Sequence, residues 1–294
     1  ENLLVIKGLN DPNEQMRQMP AKAAIGINED EDVVEPLSKT LGNSLESEAI
    51  RAMAAEALGG MGSEESVSAL IDALKDDNVA VRYAAAAALS GNVESRVVEA
   101  LILATKDEDK YVRASAAYAL GTTRAGYALI PLIKCAEDEN EVVRFSAVNS
   151  IAGYDFEDVY KRLMIKNKDE AFESKNRILA KIEILGKFKD DRAIKHLKDY
   201  LQDSDPDIVF KATNALMGHE DPSMLEELIA ASKRLDKELM NLAKENIAPE
   251  VFSDVTKYNI DFGESAPVTA APKASQDSPK EVVKEEPHIE VQIP

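Results

Sequence analysis

Apolar residues recur along most of this chain as two short helical runs separated by an acidic break. The stretch from Val67 to Leu89 shows the unit most clearly. Val67, Leu70, Ile71 and Leu74 fall at helical spacing, Lys75-Asp76-Asp77-Asn78 interrupts them, and a second run starts at Val79. Asp77 or Asn78 is placed to accept hydrogen bonds from the free N–H groups of that second helix, where negative charge is favoured. The same turn recurs as Asp107-Glu108-Asp109, Asp138-Glu139-Asn140 and Asp203-Ser204-Asp205-Pro206, with Pro206 suited to a first helical turn. Each unit is therefore a helix pair that buries its apolar faces only on its neighbours.

A basic residue marks the second helix of each pair: Arg17, Arg51, Arg82, Arg113, Arg144, Arg177 and Lys211, at steps of 34, 31, 31, 31, 33 and 34 residues. A period of this length sustained over so many turns predicts a solenoid. The expected pairs span 3–25, 34–58, 67–89, 98–120, 128–151, 159–185, 193–217 and 224–247, the eighth as a terminal cap. The sixth is widened by Lys166-Asn167-Lys168-Asp169. Second helices are expected to close on Gly59, Gly121, Gly153, Gly186 and Gly218 in left-handed caps. The expected organisation is an all-α superhelix over 1–249 and an extended acidic tail over 250–294. The apolar start, Glu1-Asn2-Leu3-Leu4-Val5-Ile6, reads as the middle of a repeat with sequence upstream.

Following the basic residue, the pattern is Arg-Ala-Met-Ala-Ala-Glu-Ala-Leu-Gly at Arg51, Arg-Tyr-Ala-Ala-Ala-Ala-Ala-Leu at Arg82 and Arg-Ala-Ser-Ala-Ala-Tyr-Ala-Leu-Gly at Arg113. With the preceding Ile50, Val81 and Val112, and a weaker copy from Val143 to Gly153, this resembles the HEAT-like repeats named after phycobilisome lyases. The resemblance covers about the first 247 residues. It implies an α-α superhelix in which the recurring arginines (Arg51, Arg82, Arg113, Arg144) form a structural ladder with the inter-helix turns. It also implies a range of activities, from bilin lyases and a di-iron hydroxylase to DNA glycosylase relatives and plain binding scaffolds.

The residues narrow that range. In each second helix an apolar stripe is expected one residue before the Arg and three, six and seven after it, leaving positions one, two and five to face the concave groove. The groove set is Ala52, Met53 and Glu56; Tyr83, Ala84 and Ala87; Ala114, Ser115 and Tyr118; Phe145, Ser146 and Asn149. A likeness to the deoxyhypusine hydroxylases would require His-Glu at the first two positions, where this chain has Ala-Met, Tyr-Ala, Ala-Ser and Phe-Ser. The three histidines, His196, His219 and His288, lie in separate segments, so no catalytic, metal or cofactor residues are assigned and no cofactor is expected. The lone Cys135, in an apolar helix, is expected to be a buried thiol. A formal charge of −19 argues against nucleic acid as a partner, and no run of apolar residues is long enough for membrane insertion. A cytoplasmic location is expected, with no small-molecule ligand.

Charge is unevenly spread. Residues 1–158 carry 14 basic and 28 acidic side chains, whereas 159–200 carry 12 and 7, making a basic zone that includes Lys187, Lys189, Arg192 and Lys195. From Gly263 the composition turns to Ala, Pro, Ser, Lys and Glu, which cannot bury enough apolar area to hold a fold. The end alternates, with Ile289, Val291 and Ile293 on one face of a strand that could add to a sheet edge. The sequence thus predicts a non-catalytic scaffold, adaptor or accessory subunit of a multisubunit complex. Its contacts would be the groove (Met53, Glu56, Tyr83, Tyr118, Phe145, Asn149), the basic zone and the tail. Two alternatives stay open: a bilin-lyase-like protein, with a tetrapyrrole against Tyr83, Tyr118 and Phe145, and an assembly or regulatory factor for a multisubunit enzyme.

Overall fold

The computed structural model describes residues 2–25, 31–165, 173–219, 228–231 and 233–234. The chain divides into two compact units, Glu1–Asn241 and Leu242–Pro294, and all described residues belong to the first. The domain boundary at 249, most of the expected eighth pair and the whole tail lie outside them. Among the described residues the regular structure is helical throughout.

Seven helix pairs follow one another: α1 (Asn2–Leu9) and α2 (Glu14–Ala24), α3 (Glu31–Leu41) and α4 (Glu48–Gly59), α5 (Glu64–Ala73) and α6 (Val79–Ala88), α7 (Ser95–Ala104) and α8 (Lys110–Thr123), α9 (Leu129–Cys135) and α10 (Glu141–Ile151), α11 (Phe156–Leu163) and α12 (Lys175–Leu185), α13 (Asp191–Tyr200) and α14 (Pro206–Met217). Each even-numbered helix packs on its even-numbered neighbours, while the odd-numbered helices pack mainly on the even-numbered helix of their own pair, so the unit has two layers with the core between them. That core is the expected stripe: Ile50, Ala54, Ala57 and Leu58 in α4, and Val112, Ala116, Ala119 and Leu120 in α8, are all buried. Alanine adds little hydrophobic stabilisation for each residue buried, but it lets helix backbones approach closely.

The acidic turn carries the capping that its composition predicts. The side chains of Asn78, Asp109, Asn140 and Asp205 each accept the N–H two residues ahead at 2.8–3.0 Å. The aspartate two residues before each cap in turn accepts the cap's own N–H, as Asp76, Asp107, Asp138 and Asp203 all do at 2.8 Å. The arginine four residues after the cap then ties consecutive turns together. Arg82 Nη1 donates to the carbonyls of Asp76 and Asp77 in its own turn, while Nε and Nη2 grip the Asp107 carboxylate of the next turn at 2.7 and 3.0 Å. Arg113 repeats this on Asp107, Glu108 and Asp138. Arg17 does so on Asp11 and Glu46, and Arg51 pairs with Asp76.

Measured from the caps, the series corrects itself. Ser174 and Asp205 cap α12 and α14, which puts Ile178 and Val209 at the fourth position, so Arg177 and Lys211 are not members. The steps are 34, 31, 31, 31, 34 and 31, and the arginine–carboxylate pairing runs from Arg17 only as far as Arg113. Arg144 still holds the carbonyls of Asp138 and Glu139, but among the described residues it has no carboxylate partner. Arg177 instead pairs with Glu173, and Lys211 with Glu183.

The expected glycine caps are also corrected. None of Gly59, Gly121, Gly153, Gly186 and Gly218 has a positive φ; among the described residues the left-handed ones are Gly62, Gly91 and Arg124. Three of the five are glycine because the next second helix touches them. A Cβ on Gly59 would lie 2.8 Å from the Cβ of Ala88, one on Gly186 would lie 2.9 Å from that of Ala215, and one on Gly121 would collide with Ser150. Gly153 faces the Arg124 guanidinium. At these three steps a glycine twelve residues after one cap meets a small residue ten after the next, whereas Ile25 with Ala57 and Ser90 with Ala119 hold those positions at the α2–α4 and α6–α8 steps. At the α10–α12 step those positions are Ala152 and Ile184, and that pair of neighbours is the least closely packed in its layer.

The ladder and the glycine contacts generate four expectations. Arg113→Met, which leaves Asp138 and two carbonyls unmatched in a site whose side chains are 13% and 15% exposed, costs about 2–4 kcal/mol in urea unfolding. Arg144→Met costs only about 1 kcal/mol. Gly121→Ala destabilises by about 1–3 kcal/mol, because the collision with Ser150 outweighs the gain of about 1 kcal/mol in helix propensity. The hydrogen bonds from Arg17 hold the Glu46 carboxyl below its ordinary pKa against the opposing effect of burial. At Asp138 burial works to raise the pKa, but the bonds from Arg113 and the Asn140 N–H prevail and lower it. Both groups are lower folded than unfolded, so their stabilisation is complete above the ordinary carboxylate range near about pH 4 and is lost as pH falls through the folded values. Arg113→Met should flatten that acid dependence in a series of melting temperatures.

Candidate functional site

The second-helix layer has an outward face, and the caps define it. Side chains two, five and nine residues after each cap point away from both layers. In α6 these are Ala80, Tyr83 and Ala87, in α10 Val142, Phe145 and Asn149, and in α14 Asp207, Phe210 and Asn214, all exposed. In α8 they are Tyr111, Ala114 and Tyr118, of which Ala114 alone is buried. Of the expected groove set Glu56, Tyr83, Ala87, Tyr118, Phe145 and Asn149 are exposed, Ala52 and Ala114 hold an outward position without being exposed, and Met53, Ala84, Ser115 and Ser146 lie one step past it. Ala84 and Ser115, two residues beyond their arginines, are buried against the neighbouring second helix, with the Ser115 hydroxyl 3.5 Å from the Tyr83 carbonyl. Met53, at the same position of α4, is half-buried and packs on the core.

Tyr111, Val142 and Phe210 were missed. Tyr111 and Val142 sit two residues before their arginines, and Phe210 was hidden by the misassigned Lys211. The signal was available in the caps: an apolar side chain two or five residues after an Asp or Asn cap, on a helix whose inner stripe is already complete. Together these side chains form an uncharged, aromatic face across α6, α8 and α10, with Tyr118 60% and Phe145 67% exposed. Lys110 lies over the Tyr111 ring at 5.1 Å.

Beyond α10 the face opens into a cleft. A volume of about 420 Å³ lies between α10, α12 and α14, lined among others by Arg144, Phe145, Asn149, Lys187 and Asn214. A second volume of about 310 Å³ shares Arg144, Glu183 and Lys211 with it and reaches Leu179 and Phe210.

The basic zone is split between the layers. Lys187 lines the cleft, Lys189 is exposed in the following turn, and Lys195 is exposed on α13. Arg192 lies on α13 as well, where it binds Glu157 and Asp190 and covers the rings of Phe156 and Tyr160 at 5.0 and 4.8 Å. Its guanidinium is held in its cationic form by those carboxylates, Asp190 first. Ile289, Val291 and Ile293 lie outside the described residues. Cys135 is buried as expected, and burial pushes its thiol up to about 11. That leaves almost no thiolate near neutral pH. Among the described residues no group of three or more His, Cys, Asp and Glu could hold a metal ion, and no helix is long and apolar enough to cross a membrane.

Comparison with known proteins gives a family. A model described as HEAT repeats matches residues 3–90 and 98–171. Among solved structures, YibA of E. coli is 22% identical, with 80% of this chain and 92% of that one covered and a TM-score of 0.47. The complex of CpcE and CpcF of phycocyanin lyase from Nostoc sp. PCC7120 gives 19%, 81%, 94% and 0.44. Human deoxyhypusine hydroxylase in complex with glycerol gives 18%, 82%, 93% and 0.37. No curated protein matches the chain in sequence.

Proposed function

This chain belongs to the HEAT-repeat family, and from that premise we propose that it is a non-catalytic scaffold or adaptor that holds a protein partner on its second-helix face. One observation carries the reading: Tyr83, Tyr111, Tyr118, Val142 and Phe145 stand exposed in register on an uncharged face of a chain whose formal charge is −19. Exposed apolar side chains scattered singly are ordinary, but a contiguous set on one face marks a contact surface. Tyrosine suits such a surface, since it brings a large rigid area with a polar tip at low entropic cost. The layer behind it is locked by the ladder, so binding requires little reordering of the scaffold. The terminal Ile289, Val291 and Ile293 are proposed as a second anchor that adds to a sheet edge of the same complex.

Affinity purification from the native host with quantitative mass spectrometry tests this. The triple variant Tyr83→Ala, Tyr118→Ala, Phe145→Ala should keep the helical circular dichroism and unfolding midpoint while recovery of the stable partner drops at least about tenfold. Undiminished recovery rules out the second-helix face. In a separate arm, Ile289→Ser, Val291→Ser and Ile293→Ser should weaken recovery, and no change removes the tail anchor alone.

A further inference from the structure

We infer that the cleft between α10, α12 and α14 binds an extended peptide segment that carries a carboxylate; the inference rests on the reading of the second-helix face as the binding face. Three independent features meet there. The first is a duplicated pair. α10 presents Phe145 and Asn149, and α14 presents Phe210 and Asn214, at the same five and nine positions after their caps. All four side chains are exposed, and Phe145, Asn149 and Asn214 line the larger volume while Phe210 lines the smaller. An Asn amide offers donors and an acceptor side by side, which matches the N–H and C=O of a peptide unit. Each Phe, one turn away, supplies an apolar shelf for the neighbouring side chain.

The second feature is the geometry of the gap. Neighbouring helices lie about 8–10 Å apart, so two steps from α10 to α14 cover roughly 16–20 Å. An extended chain rises about 3.3 Å per residue, so about five or six residues reach from one Asn to the other. Among the second-helix neighbours α10 and α12 are the least closely packed, with Ala152 and Ile184 at the positions where three other steps bring a glycine against a small residue, so the width of the cleft is built into the fold.

The third is charge. Arg144 has its Nη1 fixed on the Asp138 and Glu139 carbonyls, while the rest of its guanidinium, which in Arg82 and Arg113 grips a carboxylate, has no such partner among the described residues. Lys187 and Lys211 line the same space, against Glu141 and Glu183, and Glu183 is already paired with Lys211. Asp207 lines the smaller volume and is paired with Lys175, whereas the larger volume has Arg144, Lys187 and Lys211 against Glu141 and Glu183; on a chain of charge −19 that is a local inversion, and it favours an acidic segment. A guanidinium pre-positioned by two carbonyls binds a carboxylate with two parallel hydrogen bonds at little entropic cost.

The probe is a phage-displayed library of random twelve-residue peptides, selected against the full chain, with the enriched peptides synthesised and their affinity measured by fluorescence anisotropy. Enriched sequences should share an acidic residue next to apolar ones within a stretch of about six. Their affinity should fall about tenfold or more in Asn149→Ala with Asn214→Ala and in Arg144→Gln, and should weaken with salt. The two asparagines are exposed, so that double variant keeps its unfolding midpoint and carries the test if Arg144→Gln is destabilised. No enrichment, no acidic preference, or binding untouched by the asparagine pair overturns the inference. Peptides that lose affinity in Tyr83→Ala with Tyr118→Ala instead would place the contact on α6 and α8, so the cleft assignment falls while the wider reading of the face survives.

Discussion

Asp76, Asp107 and Asp138, each two residues before a second-helix cap, are bound from two sides, and the register of the ladder depends on that arrangement. One carboxylate shapes its own turn by accepting the cap's N–H, and it also receives the arginine of the preceding repeat. The guanidinium fork suits this position because it can satisfy carbonyls with one nitrogen and a carboxylate with the other two. Lysine, a point donor on a flexible stem, could not hold two turns in fixed register. The partners are mostly shielded, with Arg82 and Asp107 only 8% and 11% exposed, so solvent screens the attraction weakly and the hydrogen bonds keep their strength.

With the turns pinned, each second helix has one rotation available to it. Its alanines then meet the neighbouring backbone, and three glycines mark the closest crossings. Stability in such an array is a sum of repeat and neighbour terms. A local fault therefore stays local, and the step from α10 to α12 is such a fault. The cap-to-cap distance lengthens to 34, the ladder's carboxylate is not supplied by the described residues, and Ala152 and Ile184 replace the glycine and small residue. What weakens the stack at that step also opens a cleft beside Arg144.

The surface follows the same division. Acidic side chains gather at the turns, where they cap helices and bind the ladder, and the outward positions of α6, α8 and α10 carry none. A strong negative net charge repels other anions, while these outward positions stay neutral. Ser115 shows how narrow the boundary is: one residue beyond Ala114 and three before Tyr118, it is turned against α6.

Helix pairs, caps and the buried stripe of α4 and α8 could be read from the chain because each depends on residues within one or two turns: spacing sets the stripe, and Asp or Asn at the break sets the cap. Tyr83, Tyr118, Phe145 and Asn149 were recognisable as outward positions for the same reason. The burial of Ala84 and Ser115, the role of Gly59, Gly121 and Gly186 as contact points, the separation of Lys187 from Arg192 into different layers, and the exclusion of Arg177 and Lys211 from the ladder were decided only in the tertiary structure. Each is settled by what stands opposite, on a helix some thirty residues away, and a one-residue shift of the cap changes which side chain that is.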